Sequence, residues 1–226
     1  MDSCETNLKL CLFEQLAQIG KSLGHANRLL ILDVLAQGAC QVDVLSQKLG
    51  LSVANVSKHL QHLKQAGLVI NEVQGTQRIY QLSDEAIVPL IQILRQIAEN
   101  QMDEVATLLN EKLHPRAPLM PFNPKELKQA VKDNKVTLLD VRPADEYQAG
   151  HIDGAINLPI ESLANPITQV ASFAQLSNNK PIVVYCRGPY CLWSYEAVEK
   201  LQANGHSASR MPEGYPEWAM QENSSL

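Results

Sequence analysis

The chain has 226 residues, room for one large domain or two small ones at about 100 to 200 residues each, and its 45% hydrophobic and 19% charged content excludes wholesale disorder and a collagen-like fibre. Nineteen Lys and Arg stand against 24 Asp and Glu, and the net charge of −5 excludes a protein that grips nucleic acid by bulk positive charge. The longest apolar run, Leu29 to Ala36, is broken by Asp33, so no segment reaches the ~18 residues of a membrane span.

Asp2 and Glu5 precede the first hydrophobic stretch and no small-residue cleavage site follows it, which predicts no secretory signal and a cytoplasmic location. The five cysteines, Cys4, Cys11, Cys40, Cys186 and Cys191, are then reactive or buried thiols in preference to a disulfide framework. Apolar residues recur at helical spacing over Leu8 to Leu23, Ala26 to Gln37, Val42 to Leu49, Val53 to Ala66 and Asp84 to Leu113, so the first half is mainly α. Gly50 ends one of these helices and Ser52 caps the next, a helix-turn-helix. In the second of its helices Val56, Leu60 and Leu63 form the apolar stripe, leaving Asn55, Ser57, Lys58, His59, Gln61 and His62 as polar residues for a groove. Leu68 to Val73, a turn at Gln74-Gly75-Thr76 and Gln77 to Leu82 predict a hairpin wing bearing Arg78. From Val44 to Leu82, Lys48, Lys58, Lys64 and Arg78 against Glu72 give a local +3 (four bases minus one acid) inside an acidic chain.

His114 to Pro124 holds Pro115, Pro118, Pro121 and Pro124 and reads as a linker. Beyond it, short β-rich runs (Thr137 to Val141, Pro181 to Tyr185) alternate with helical stretches (Lys125 to Asn134, Leu192 to Asn204), the pattern of an α/β domain with a central parallel sheet. The expected division is therefore 1–113, a linker over 114–124, and 125–226. In the second domain Cys186-Arg187-Gly188-Pro189-Tyr190-Cys191 lies at a strand-to-helix turn, where backbone N–H groups, the helix dipole and Arg187 favour a thiolate or persulfide anion on Cys186.

Lys21 to Leu32, Val42 to Leu45, Leu51 to Leu60 and Ala66 to Val69 resemble the ArsR/SmtB winged helix-turn-helix repressors. That resemblance implies a homodimer formed by the first and last helices of the domain and a pseudo-palindromic double-stranded operator; the helix face and the wing offer it Ser52, Asn55, Ser57, Lys58, His59, Gln61, His62 and Arg78 as the candidate DNA-binding residues. A stripe at Ile87, Leu90, Ile91, Leu94 and Ile97 fits such a packing face. Of the family's two-thiol metal box only Cys40 is present, and Asp84 to Leu113 contains no His, so zinc sensing is not expected there. Cys4, Cys11 and Cys40 are left as candidates for a three-thiolate site for As(III) or another soft metal, or for a redox pair, or, for Cys11 and Cys40, as buried small residues.

Leu138 to Tyr147, Gly150 to Pro159, the Cys186 loop and Gly214 to Trp218 resemble a single-domain rhodanese. The resemblance implies that Cys186 takes sulfane sulfur from a donor such as thiosulfate or a persulfide. The loop N–H groups over Arg187, Gly188, Pro189, Tyr190 and Cys191 would cradle the sulfur, while Asp140, Arg142 and Glu146 brace the neighbouring turn and His151 and Asp153 are structural. Most such domains carry Arg where Cys191 stands, so Arg187 is expected to replace that charge and Cys191 to attack a persulfide on Cys186. No cofactor beyond the carried sulfur is expected. The leading expectation is a repressor whose DNA binding is coupled to reactive sulfur or thiol redox state. The alternatives are a sulfurtransferase with the winged helix as tether, and a metalloid-responsive repressor with a non-catalytic rhodanese fold.

Overall fold

The structure, a computed structural model, describes residues 7–164, 169, 173, 176 and 179–223. The chain divides into two compact units, Met1–Ile91 and Gln92–Leu226.

The first unit runs α1 (Leu8–Leu23), α2 (Ala26–Leu35), β1 (Cys40–Gln41), α3 (Val42–Leu49), α4 (Val53–Gln65), β2 (Val69–Gln74) and β3 (Gln77–Leu82), then enters α5 (Ile87–Gln101). α3 stops at Gly50, whose φ of +63° suits a residue without Cβ; the Leu51 N–H then bonds the Ser46 carbonyl at 3.1 Å and closes the helix end. Ser52 accepts the Asn55 N–H at 3.3 Å and starts α4. β2 and β3 pair antiparallel through the Gly75-Thr76 turn, and β1, too short to show a period in the sequence, pairs with the far side of β3. Ile31, Leu32, Leu45, Val56, Leu60 and Leu63 are wholly buried and pack with Tyr80 and Ile87 into one core.

α1 buries none of its residues and exposes Leu8, Leu12, Phe13 and Leu16. The stripe expected on α5 divides: Ile87 joins the core and Ile91 packs against it, whereas Leu90, Leu94 and Ile97 stay exposed together with Ile93. The single helix expected over Asp84 to Leu113 is broken as well. Met102 is extended, and α6 (Asp103–Leu108) begins anew with Asp103 and Glu104 in its first turn, where carboxylates suit a helix N-terminus. A π-helical turn, Leu109–Leu113, and a 3₁₀ turn, His114–Arg116, follow as Pro115, which lacks an N–H, ends the ladder.

The second unit is built on a four-stranded parallel sheet of order β5-β4-β6-β7, with β4 Thr137–Asp140, β5 Ile156–Asn157, β6 Ile182–Tyr185 and β7 Ala208–Arg210. Among the described residues the helices that follow in this unit include α7 (Pro124–Lys132), α8 (Ala144–Ala149), α9 (Ile160–Ala164), α10 (Leu192–Ala203) and α11 (Tyr215–Asn223). Strand alternation sends Leu139, Ile182 and Val184 to a face covered by Ala197, Val198 and Leu201 of α10, and Leu138, Val183 and Tyr185 to a face covered by Leu127 of α7 and Trp218 of α11. The proline-rich segment is bound to this sheet: the Met120 N–H bonds the Arg210 carbonyl and the Arg210 N–H bonds the Pro118 carbonyl, both at 2.9 Å, which pairs the open edge of β7.

Leu60 sits wholly buried at the centre of the first unit's core. Leu60→Ala is expected to lower stability by about 2–5 kcal/mol in urea unfolding, through lost transfer energy and the cavity left behind.

Candidate functional site

Cys186 follows β6 directly and continues its alternation, so it points to the α10 face and is 1% exposed. The loop from Cys186 to Cys191 then turns into α10, whose N-cap is Cys191. Four hydrogen bonds shape it. Tyr215 N–H donates to the Cys186 carbonyl (3.1 Å), Cys191 N–H to the Gly188 carbonyl (3.1 Å), Ser194 Oγ to the Cys191 carbonyl (2.9 Å) and the Tyr195 hydroxyl to the Pro189 carbonyl (3.3 Å). The two sulfurs are joined as a disulfide across a Cα separation of 6.3 Å, within the span a disulfide bridges. The expected sulfur cradle is smaller than the loop. Pro189 has no N–H and the Cys191 N–H is used inside the loop, which leaves the amides of Arg187, Gly188 and Tyr190.

Arg187 does not face the cysteines as a loose charge. Its Nε and Nη2 donate to the two oxygens of Glu146 at 2.9 and 2.5 Å, and its guanidinium lies over the Trp193 ring, 4.4 Å from the centroid. Both side chains are largely buried, so this bidentate pair pins the start of the loop to α8. Asp140 and Arg142 are fully buried and joined by hydrogen bonds from Arg142 Nε (3.1 Å) and Nη2 (2.6 Å). Burial opposes the Arg142 charge, but the hydrogen bonds and charge of Asp140 outweigh it and hold the pKa above the ordinary arginine value. Arg142 also bonds the Gly150 carbonyl at 2.7 Å and lies 4.5 Å from the Tyr215 ring centre, next to the residue that bonds Cys186. His151 stacks on Tyr147 and bonds its carbonyl, and Asp153 is exposed.

The sequence reading missed four contributors here. A Cβ on Gly214 would overlap the Arg187 carbonyl and the Gly188 amide, so only glycine lets this strand of chain lie against the loop. Glu217, buried, accepts the Gly214 N–H at 3.0 Å and Arg95 Nη1 at 3.1 Å. The Tyr190 hydroxyl donates to Glu99 at 2.6 Å; burial first, then that carboxylate, push its pKa upward. Gly214 and Glu217 sit inside a motif the sequence displays, whereas Arg95 and Glu99 lie about a hundred residues away and give no local signal.

In the winged helix, Ser52, Lys58, Gln61, His62 and Arg78 are exposed and Asn55 and Ser57 half-buried, Arg78 standing on β3 opposite Val73. His59 is a correction. It is 6% exposed, belongs to the buried face of α4 with Val56, Leu60 and Leu63, and sets its ring 4.5 Å from that of His25, so it does not face a groove. Burial, then the charges of His25 and Arg28, lower its pKa from 6.5.

Of the N-terminal thiols, Cys4 lies outside the described residues, Cys11 is held in a disulfide, and Cys40 is buried in the core of the first unit. Among the described residues no three His, Cys, Asp or Glu side chains gather as a metal site, and no helix is long and apolar enough to cross a membrane.

The model described as rhodanese-like domain matches residues 123–221, and that described as bacterial regulatory protein, arsR family, matches 25–71. The chain is 36% identical over 216 residues to the HTH-type transcriptional regulator Rv0324 of Mycobacterium tuberculosis, covering 96% of this chain and 92% of that one. It is also 36% identical over 90 residues to the HTH-type transcriptional regulator CmtR of Mycobacterium bovis, covering 38% and 76% of the two chains. Among solved structures, a homodimeric winged helix-turn-helix DNA-binding domain from Mycobacterium bovis is 33% identical, with a TM-score of 0.41, covering 43% of this chain and 91% of that one.

Three outcomes are expected. Asp140→Asn removes half of a buried ion pair and is expected to cost ~3–5 kcal/mol in chemical unfolding, because the Arg142 charge is left buried without its partner. For His59 the unfolded state takes up a proton below its ordinary pKa of 6.5 while the folded state resists, so stability is full above that pH and declines as pH falls beneath it. His59→Leu should flatten this slope as pH falls below about 6.5. On duplex DNA selected by wild type from a random library, Arg78→Ala should weaken binding to all sequences and reduce the salt slope by about 1, whereas Asn55→Ala should relax sequence preference.

Proposed function

Given that the chain belongs to the arsR-family transcriptional regulators and carries a rhodanese-like domain after its winged helix, we propose that it is a sulfur-responsive repressor whose operator occupancy falls when Cys186 is loaded and the Cys186–Cys191 pair closes. The observation that carries this reading is the juxtaposition of the two cysteines in one loop. In the first step the Cys186 thiolate attacks the sulfane sulfur of a donor such as thiosulfate or a persulfide; the donor S–S bond breaks and its leaving group departs with the electron pair. In the second, the Cys191 thiolate attacks Sγ of the Cys186 persulfide. The Cys186–Cys191 bond forms, hydrosulfide leaves, the sulfane sulfur is reduced and the two thiols are oxidised, so no outside oxidant is needed. A cellular dithiol then reopens the pair.

Two copies pairing through the exposed leucines of α1 and the exposed face of α5 would present two α4 helices and two Arg78 wings to a two-fold DNA site. Cys191 is the resolving thiol in this scheme because it shares the loop with Cys186, whereas Cys40 is buried in the core of the first unit. A soft-metal response through Cys4, Cys11 and Cys40 is not needed for it. A sulfurtransferase merely tethered to DNA differs in one observable, since its sulfur loading leaves operator binding unchanged.

The test is intact-protein mass spectrometry on reduced protein given a persulfide donor, beside operator binding under the same conditions. Wild type should lose two hydrogens and release DNA. Cys191→Ser should keep one added sulfur on Cys186, and Cys186→Ser should do neither. Release from the operator in Cys186→Ser would overturn the proposal.

A further inference from the structure

The guanidinium within the loop is committed, because Glu146 takes both Nε and Nη2 of Arg187 and Trp193 covers its face. A second guanidinium reaches the same loop from a distant part of the chain. Arg95, in the later half of α5, brings Nη1 to 3.7 Å from where a Cβ on Gly188 would lie, and sets its guanidinium 5.3 Å from the Tyr190 ring centre. Its one protein hydrogen bond among the described residues is the 3.1 Å contact to Glu217 Oε1, so most of its N–H donors have no protein acceptor. Glu217 is itself held from the other side by the Gly214 N–H at 3.0 Å. Tyr190, the surface on which Arg95 stacks, is fixed by its 2.6 Å hydrogen bond to Glu99. A largely buried arginine with spare donors thus lies against the turn between Cys186 and Cys191.

The geometry points to Arg95 as the residue that binds the anionic sulfur donor, of the thiosulfate class, at the cysteine loop, with Glu99 and Tyr190 as positioning residues for it. This rests on the reading of Cys186 as the sulfur acceptor. As the Cys186 thiolate attacks the outer sulfur of thiosulfate, the S–S bond breaks and sulfite leaves with the electron pair. Arg95 offsets the charge that the dianion brings to a thiolate, an effect that acts on binding more than on the bond-breaking step.

The test uses the full chain, reduced with a dithiol and desalted, and follows loss of the Cys186 thiol with thiosulfate and with an uncharged organic trisulfide. Arg95→Gln keeps a donor for Glu217 but removes the charge. It is expected to raise the thiosulfate concentration for half-maximal rate by roughly 10-fold, with the maximal rate and the trisulfide rate within about twofold of wild type. Arg95→Lys should recover part of the loss, and a thermal melt checks that both variants fold. Equal slowing with both donors would mark Arg95 as structural, and no slowing with either would remove it from the site; each overturns the assignment. A wild type inert to both donors is a distinct outcome, which removes the acceptor role of Cys186 and this inference with it.

Discussion

The bidentate pair between Arg187 and Glu146 is the constraint on which the cysteine loop depends. The loop leaves a buried strand with Cys186 in the core and Cys191 packed against it. Here its first residue is tied to α8 by two charge-assisted hydrogen bonds, and Trp193 covers the tied guanidinium. Beneath it the buried Asp140–Arg142 pair fixes the end of β4 and reaches the Tyr215 ring, whose backbone N–H holds the Cys186 carbonyl. Glycine at 214 then lets the chain close against the loop without a side chain between them. The loop that carries the two sulfurs is thus positioned by ion pairs anchored in α8 and at the end of β4.

This arrangement separates two tasks that the sequence assigned to one residue. Arg187 was expected to supply the anion-binding charge, yet its donors face Glu146, and a charge so paired contributes position more than attraction. Arg95 is paired through a single nitrogen and carries the remaining donors at the loop. Brace and proposed binding group are therefore different arginines, 92 residues apart in the chain.

What was legible in the sequence was local. The Gly50 and Ser52 caps, the Gly75 turn and the apolar run of β6 each follow from a few adjacent residues, and all stand where periodicity and turn chemistry put them. Cys186 was legible for the same reason, as the residue after a buried strand and before a helix. His59 departs from the groove-facing expectation although the pattern contains the reason: it lies three residues after Val56 and four before Leu63, on the apolar stripe itself. The break at Met102 and the long-range contacts of Arg95, Glu99 and Glu217 were not legible, because partners 91 and 122 residues apart leave no period to find. The proline-rich segment was read by composition as a connector, while its backbone pairs with β7, a role that depends on where an open sheet edge lies.

The account turns on the Cys186–Cys191 pair governing DNA binding, and the most direct measurement is a redox titration of the full chain against a dithiol buffer. The fraction of closed pair and the fluorescence anisotropy of a bound operator would be read from the same samples. Coincident midpoints in wild type, with Cys191→Ser bound to DNA across the whole range, are what the account predicts. Operator binding that stays flat while the pair closes would contradict it.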